Sequence, residues 1–309
     1  MPVTLAPDPP LVSIVTACYN AAQFIEDTME SVLAQDYPRI EYIVMDGGST
    51  DETVEILAGY EARFAGRIPY TWTSEKDHGA ADAINRGFER ASGEIFAFLH
   101  ADDVYLPGAV SAAVRDLQEN PDTDVAYGGA FWIDERGERI GPYPVRDFDP
   151  ELLARECYVC QPASFFRRAA FENAGGLDPT LECSFDYDLW IRLARMRPLH
   201  RVEQDLALSR MHRTNKTLGL RLQVFRETFQ ILKRHYGYVP FECIYAYLCY
   251  RADGRDQFFE PFRPSTLRYL QSLPAGLAMN PAAMWKYFGE WWRVMSWDGL
   301  RRRISVGDR

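Results

Sequence analysis

The sequence predicts an α/β fold: a doubly wound, mainly parallel central sheet with a helical C-terminal extension. Three observations predict it. Apolar β-rich runs alternate with amphipathic helical stretches from residue 11 to 119, in the order β-α-β-α-β-α-β-α. That is the rhythm of parallel strands joined by crossover helices. Residues 94–99 read as a buried strand, apolar without interruption from Ile95 to Leu99 as a strand covered on both faces requires, and they lead directly to the adjacent carboxylates Asp102 and Asp103. Beyond residue 220 the pattern is helical and rich in aromatics.

The elements follow in order. Residues 11–17 read as a first strand. Asn20 with Gln23 reads as a capping box for a helix to about residue 34, with Phe24, Ile25, Met29, Val32 and Leu33 on one face. Residues 40–45 make a second strand that ends in Asp46-Gly47-Gly48-Ser49-Thr50-Asp51. A helix then buries Val54, Ile56, Leu57 and Tyr60. Residues 68–73 make a third strand, followed by a polar loop and a helix over 80–91 that carries Asp82, Asn85 and Arg86 near its start. A helix is expected over 107–119. The rhythm then changes to a hairpin (125–133 and 139–143), a short helix (150–156), a strand (162–168) and an amphipathic helix (185–196). A strand over 199–211 follows and delivers His212, and then a long helix over 220–236.

The totals exclude several classes. A length of 309 residues suits one large domain, or a domain with an extension, and needs no disulfide staples. A net charge of −10 argues against nucleic-acid binding, which needs a basic field. The six cysteines are scattered, and no apolar leader or long apolar span appears. A cytoplasmic protein with reduced thiols is therefore expected. Cys157 and Cys160 have redox spacing but do not open a helix, and no second ligand pair lies at zinc spacing.

The chemistry concentrates at strand ends. Two adjacent acids after a buried strand repel each other unless a cation or solvent intervenes. A hard divalent ion held by one or two carboxylates and substrate phosphates is one answer, and a solvated turn is the other. Strand, Gly-rich acidic turn and helix is a nucleotide-binding layout, yet residues 46–51 are neither a dinucleotide fingerprint nor a Walker A loop. Asp186 and Asp188 fall in the first turn of a helix, where the N-terminus stabilises a carboxylate, so both can cap it.

Seven stretches in one order carry a resemblance. They are residues 12–20 (Val-Ser-Ile-Val-Thr-Ala-Cys-Tyr-Asn), 46–51, 77–87 (Asp-His-Gly-Ala-Ala-Asp-Ala-Ile-Asn-Arg-Gly) and 93–108, then 161–167 (Gln-Pro-Ala-Ser-Phe-Phe-Arg), 175–178 and 185–192 (Phe-Asp-Tyr-Asp-Leu-Trp-Ile-Arg). Over about residues 10–217 the chain resembles family 2 inverting glycosyltransferases of the GT-A fold, of the type that builds bacterial cell-surface polysaccharides. The resemblance implies a catalytic domain over 1–217, with a nucleotide-sugar half (about 10–120) and an acceptor half (about 121–217), and a helical extension over 218–309. It implies a nucleotide-diphosphate sugar donor held by Thr16, Ala17, Tyr19, Asp46, Asp77, Asp82 and Asp102. It implies a divalent metal, Mn²⁺ or Mg²⁺, at Asp102, Asp103 and His212, with Asp186 as general base. A glycan or lipid-linked acceptor would meet Gln161 and Arg167. His100 stands where the family has an acid, and Phe185 where many relatives have Glu. These departures leave open a non-catalytic scaffold that binds nucleotide or glycan in polysaccharide assembly. The tail holds Trp285, Phe288, Trp291-Trp292, Trp297 and Arg301-Arg302-Arg303, a pattern that fits peripheral contact with the inner face of a membrane, packing against the catalytic domain, or a homodimer contact.

Overall fold

The computed structural model describes residues 9–255 and 263–295. They fall into two compact units: residues 9–153 with 157–215, and residues 154–156 with 216–255 and 263–295. Trp297 and Arg301-Arg302-Arg303, named above for the tail, lie outside the described residues.

The first unit is built on one nine-stranded sheet. Its elements in chain order are β1 (Val12–Cys18), α1 (Ile25–Leu33), β2 (Ile40–Asp46), α2 (Thr53–Phe64), β3 (Tyr70–Ser74), α3 (Ala80–Arg90), β4 (Ile95–Phe98), β5 (Val104–Tyr105) and α4 (Ala109–Glu119). They continue with β6 (Val125–Ile133), β7 (Arg139–Pro142), α5 (Pro150–Leu153), β8 (Ser164–Arg167), α6 (Arg168–Ala174), α7 (Phe185–Met196) and β9 (His200–Arg210). The strand order is β3-β2-β1-β4-β8-β6-β9-β5, with β7 on β6.

Direction matters more than order for the site. β1, β2, β3 and β4 are mutually parallel. β8 runs against β4, and β6 runs against β8, so β6 points the same way as β4. β9 is parallel to β6. Loops after β1, β2, β4 and β9 therefore emerge at one edge of the sheet, where ligands collect in open α/β sheets. β5, β7 and β8 point the other way.

The core explains why residues 95–99 are apolar throughout. β4 is an inner strand between β1 and β8, and Ile95, Phe96, Ala97 and Phe98 are all buried. Phe96 stacks on Phe88 of α3 at 4.4 Å, and Phe98 lies parallel to Trp190 of α7 at 6.4 Å. Phe165 and Phe166 of β8 are both fully buried, although alternation puts them on opposite faces. Phe165 stacks on Tyr105, while Phe166 packs on Phe88, Phe98 and Trp190.

The expected cap does not form. Asn20 does not cap α1; it sits in the left-handed region at φ 48° and ties two loops together instead. Ser49 turns back to Asp46 rather than capping α2.

The second unit is helical: α8 (Lys216–Gly219), α9 (Arg221–Tyr236), α10 (Phe241–Asp253), α11 (Thr266–Met279) and α12 (Met284–Met295). Tyr287 of α12 seats against Gly276 of α11, where any Cβ would collide with the ring. Buried Glu290 accepts from the Tyr238 hydroxyl at 2.7 Å and from the Phe241 backbone N–H at 3.2 Å.

Candidate active site

Three loops at the C-terminal edge of the sheet build the candidate site. The first two are latched to each other. Asn20 Oδ1 accepts from the Thr50 N–H at 2.8 Å, and the Asn20 N–H donates to Ser49 Oγ at 2.7 Å. The Ala21 N–H donates to Thr53 Oγ1 at 2.8 Å and the Ala22 N–H to Asp51 Oδ2 at 3.1 Å. The Ser-Thr-Asp run after β2 thus holds the loop after β1. Burial works to raise the Asp51 pKa, but hydrogen bonds from the Thr53 hydroxyl and the Ala22 and Thr53 N–H groups outweigh it and bring it below the ordinary value.

Asp46 organises this corner from inside. It is 2% exposed and accepts from the Gly48 N–H (3.1 Å), the Ser49 N–H (2.9 Å), Ser74 Oγ (2.6 Å), Ser49 Oγ and Cys18 Sγ. Burial and this carboxylate push the Cys18 thiol well above its ordinary pKa. Thr16 is also buried, and its hydroxyl accepts from Tyr42. Asp46 and Thr16 were expected to touch the nucleotide, but their side chains are committed inward and fix the strand ends. Ala17 is half-buried at the end of β1, and Tyr19 is 62% exposed. Asp77 is half-buried and accepts from the Gly79 N–H at 2.9 Å. Its carboxylate lies so close over Gly47 that a Cβ there would come within 2.7 Å of it. Asp82 accepts from the His78 N–H at 3.2 Å. Ala17, Tyr19, Asp77 and Asp82 keep some exposure at the expected nucleotide side.

The third loop carries the two acids, and the structure gives them different tasks. Asp102 Oδ2 lies 2.9 Å from His212 Nε2, and the other ring nitrogen is 2.8 Å from Thr214 Oγ1. The side chains are 25% and 10% exposed, so the pair is semi-enclosed yet reachable. The meeting follows from strand direction: β4 and β9 point the same way, β4 ending four residues before Asp102 and β9 two residues before His212. Asp103 is buried and accepts from the Arg210 N–H at 2.8 Å. Burial, then the neighbouring Asp102 charge, pushes its pKa well above the carboxylate range. The expected metal role of Asp103 is corrected accordingly: its carboxylate braces β9 instead of facing the site.

Arg210 was not anticipated. Its side chain is 2% exposed. Nε donates to the Asp102 carbonyl (2.9 Å), Nη2 to Asp27 of α1 (2.7 Å) and Nη1 to the carbonyls of Asp134 and Glu135 (3.3 Å each). The guanidinium also sits 4.7 Å from the Phe24 ring centroid. The only signal in the sequence was an arginine two positions before the histidine, and surface strands commonly carry one.

The acceptor-side residues separate. Gln161 is buried, and its amide N–H₂ donates to the Phe98 carbonyl at the end of β4, while Oε1 has no hydrogen-bond partner among the described residues. Arg167 stands at the C-terminal end of β8, opposite Ile95 at the start of β4. Because β8 is reversed, Arg167 lies at the far edge of the sheet, donating to the carbonyls of Leu117 and Thr123. The expected acceptor role of Arg167 is overturned by that position. Asp186 lies in the first turn of α7, half-buried, accepting from the Tyr187 N–H at 2.8 Å. The preceding Phe185 packs 6.0 Å from His100, which brings this turn to the end of β4. Asp103 and Asp186 both bear on the buried Cys160 thiol, whose pKa is raised by burial first and by these charges next. Asp188 instead pairs with Arg192 at 2.8 Å inside the core.

The donor set fits a divalent cation only in part. No cluster of three His, Cys, Asp or Glu ligands occurs among the described residues. One carboxylate and one imidazole, side by side and accessible, suit an ion whose remaining positions are filled by water and phosphate oxygens.

The family model described as "Glycosyl transferase family 2" matches residues 13–175, a stretch that includes all of the first two loops and the acid turn. The chain belongs to glycosyltransferase family 2. It is 32% identical over 219 residues to an uncharacterised glycosyltransferase of Rickettsia felis, covering 66% of this chain and 34% of that protein. The chain thus spans about a third of that relative's length. Over 110 residues it is 48% identical to the putative teichuronic acid biosynthesis glycosyltransferase TuaG of Bacillus subtilis, covering 36% of this chain and 43% of that one. Among solved structures, the mannosyltransferase PcManGT of Pyrobaculum calidifontis, in complex with GDP-Man and Mn²⁺, superposes with a TM-score of 0.57 at 21% identity. That superposition covers 92% of this chain and 78% of the other, and it supports the GT-A fold.

Two outcomes test this geometry. Arg210→Met keeps the aliphatic stem and removes every donor, so the unfolding free energy should fall by about 2 kcal/mol or more in denaturant titrations; an unchanged midpoint would contradict the brace. Asp51 has a depressed folded pKa, so its contribution to stability is present above the unfolded value and is lost as pH falls through the folded one. The stability gap between wild type and Asp51→Asn should be full near neutral pH and shrink below about pH 4; a gap that widens in acid would contradict the assignment.

Proposed function

We propose that the protein is an inverting glycosyltransferase that moves one sugar from a nucleotide-diphosphate donor to a hydroxyl of a glycan or lipid-linked acceptor. The single observation that carries this reading is the Asp102–His212 pair at the C-terminal edge of the sheet of a family 2 chain. Ala17, Tyr19, Asp77 and Asp82 line the side for the nucleoside. Asp102 and His212 would hold Mn²⁺ or Mg²⁺. When bound, that ion would neutralise charge on the diphosphate as a Lewis acid.

Asp186 takes the part of general base. An acceptor hydroxyl attacks the anomeric carbon from the side opposite the leaving group; its oxygen forms the new bond as the bond to the diphosphate breaks. The hydroxyl proton passes to the Asp186 carboxylate, and the nucleoside diphosphate departs. The position in the first turn of α7 suits a carboxylate, because the helix N-terminus favours the anion until the proton arrives. Gln161 Oε1 is a buried acceptor without a hydrogen-bond partner among the described residues, and an acceptor-sugar hydroxyl would satisfy it. The likeness to TuaG supports an acceptor in cell-surface polysaccharide assembly, and the GDP-Man and Mn²⁺ of PcManGT support a metal-assisted nucleotide-sugar donor.

Asp186→Asn retains the helix-end hydrogen bond but cannot take a proton at neutral pH. Turnover of a nucleotide-sugar donor, measured as nucleoside diphosphate released, should fall by about 10²–10⁴-fold with the unfolding midpoint unchanged. Undiminished turnover would remove Asp186 from the reaction.

A further inference from the structure

The α11–α12 hairpin of the second unit has one face that nothing in the described structure covers. The two helices run antiparallel, since Tyr269 near the start of α11 stacks on Trp291 near the end of α12 at 4.5 Å, while Gly276 and Tyr287 meet further in. The exposed apolar residues sit one position after these packed ones: Leu270 follows Tyr269, Phe288 follows Tyr287 and Trp292 follows Trp291. One position is the same rotation about each helix, and in an antiparallel pair that brings both stripes to one side of the hairpin. Leu267 and Trp285 extend the two stripes by helical spacing. Trp285 is 85% exposed and Trp292 is 61% exposed. Phe288 stacks on Trp292 at 6.2 Å, so the aromatics form a continuous surface.

Charge distinguishes the occupants. Among the described residues 263–295, the hairpin and its lead-in hold four cations, Arg263, Arg268, Lys286 and Arg293, against one acid, Glu290, in a chain of net −10. That acid is buried against Tyr238 and Phe241 and presents nothing outside. Lys286 and Arg293 lie on α12 beside the aromatic stripe. A second copy docking through the same face would bring the same positive charge to it and would be repelled. An anionic bilayer surface offers opposite charge together with an interface that accepts tryptophan.

We propose that the Leu267–Leu270 and Trp285–Phe288–Trp292 stripes of the α11–α12 hairpin dock on an anionic lipid surface, with tryptophan rings at headgroup level and Arg and Lys against lipid phosphates. This reading is independent of the donor chemistry proposed above. The hairpin would present the chain to lipid-borne partners without any membrane-spanning element, and no helix among the described residues is long and apolar enough to cross a bilayer.

The test is co-sedimentation of the full chain with phosphatidylcholine vesicles, alone or mixed with phosphatidylglycerol. The expected result is binding to the anionic vesicles only, weakened in high salt and weakened about tenfold or more by Trp285→Ser with Trp292→Ser. Both positions are exposed, so the double variant should unfold at the wild-type midpoint, which keeps the comparison clean. Failure to sediment with the anionic vesicles overturns the proposal, and so does equal binding to both vesicles. It is also overturned if light scattering shows a wild-type dimer that the double variant dissociates, since the face would then belong to a second copy.

Discussion

The buried guanidinium of Arg210 is the interaction on which the candidate site depends. One side chain reaches the Asp102 carbonyl, Asp27 of α1 and two carbonyls of the β6–β7 turn, while its own backbone N–H holds Asp103. A charge so enclosed is costly unless its donors are satisfied, and here they are spread over elements far apart in sequence. The arrangement makes β9, α1 and the acid turn one unit. His212, two residues beyond Arg210, therefore meets Asp102 at a fixed distance rather than on a free tail. The two acids divide the work: Asp103 gives up solvent to anchor the turn, and Asp102 stays partly exposed beside His212.

Strand direction supplies the second constraint. Six strands share one direction, and the three reversed ones, β5, β7 and β8, decide which residues reach the site. Reversal of β8 sends Gln161, just before it, toward the end of β4 and carries Arg167, at its other end, to the far edge. Residues six positions apart in one motif are thus separated by the length of the strand.

Much of the fold was legible because its signals are local. The β-α alternation of residues 11–119, the apolar run of β4 and the span of α7 depend on periodicity and burial, which a sequence displays directly. The departures have a common cause: they depend on partners distant in sequence. Asn20 looked like a helix cap, but its acceptor serves Thr50 thirty residues away. Asp46 looked like a ligand contact, but five donors from its own corner already occupy it. Asp102 and Asp103 are indistinguishable as letters, and only the arrival of β9 assigns one to the core. Arg210 carried no motif at all. The pairing of Asp102 with His212 was suggested by resemblance, and no rule of spacing could have joined positions 110 residues apart.

The measurement that bears most directly on the account is thermal unfolding with UDP or GDP, with and without Mn²⁺, for wild type, Asp102→Asn and His212→Ala. A ligand at a hundred times its dissociation constant adds about 2.7 kcal/mol, roughly 5–10 °C for a domain of this size. The account predicts such a rise in wild type for one nucleotide only when the metal is present, and its loss in both variants. A rise of the same size without metal, or in the variants, would contradict the central place given to the Asp102–His212 pair.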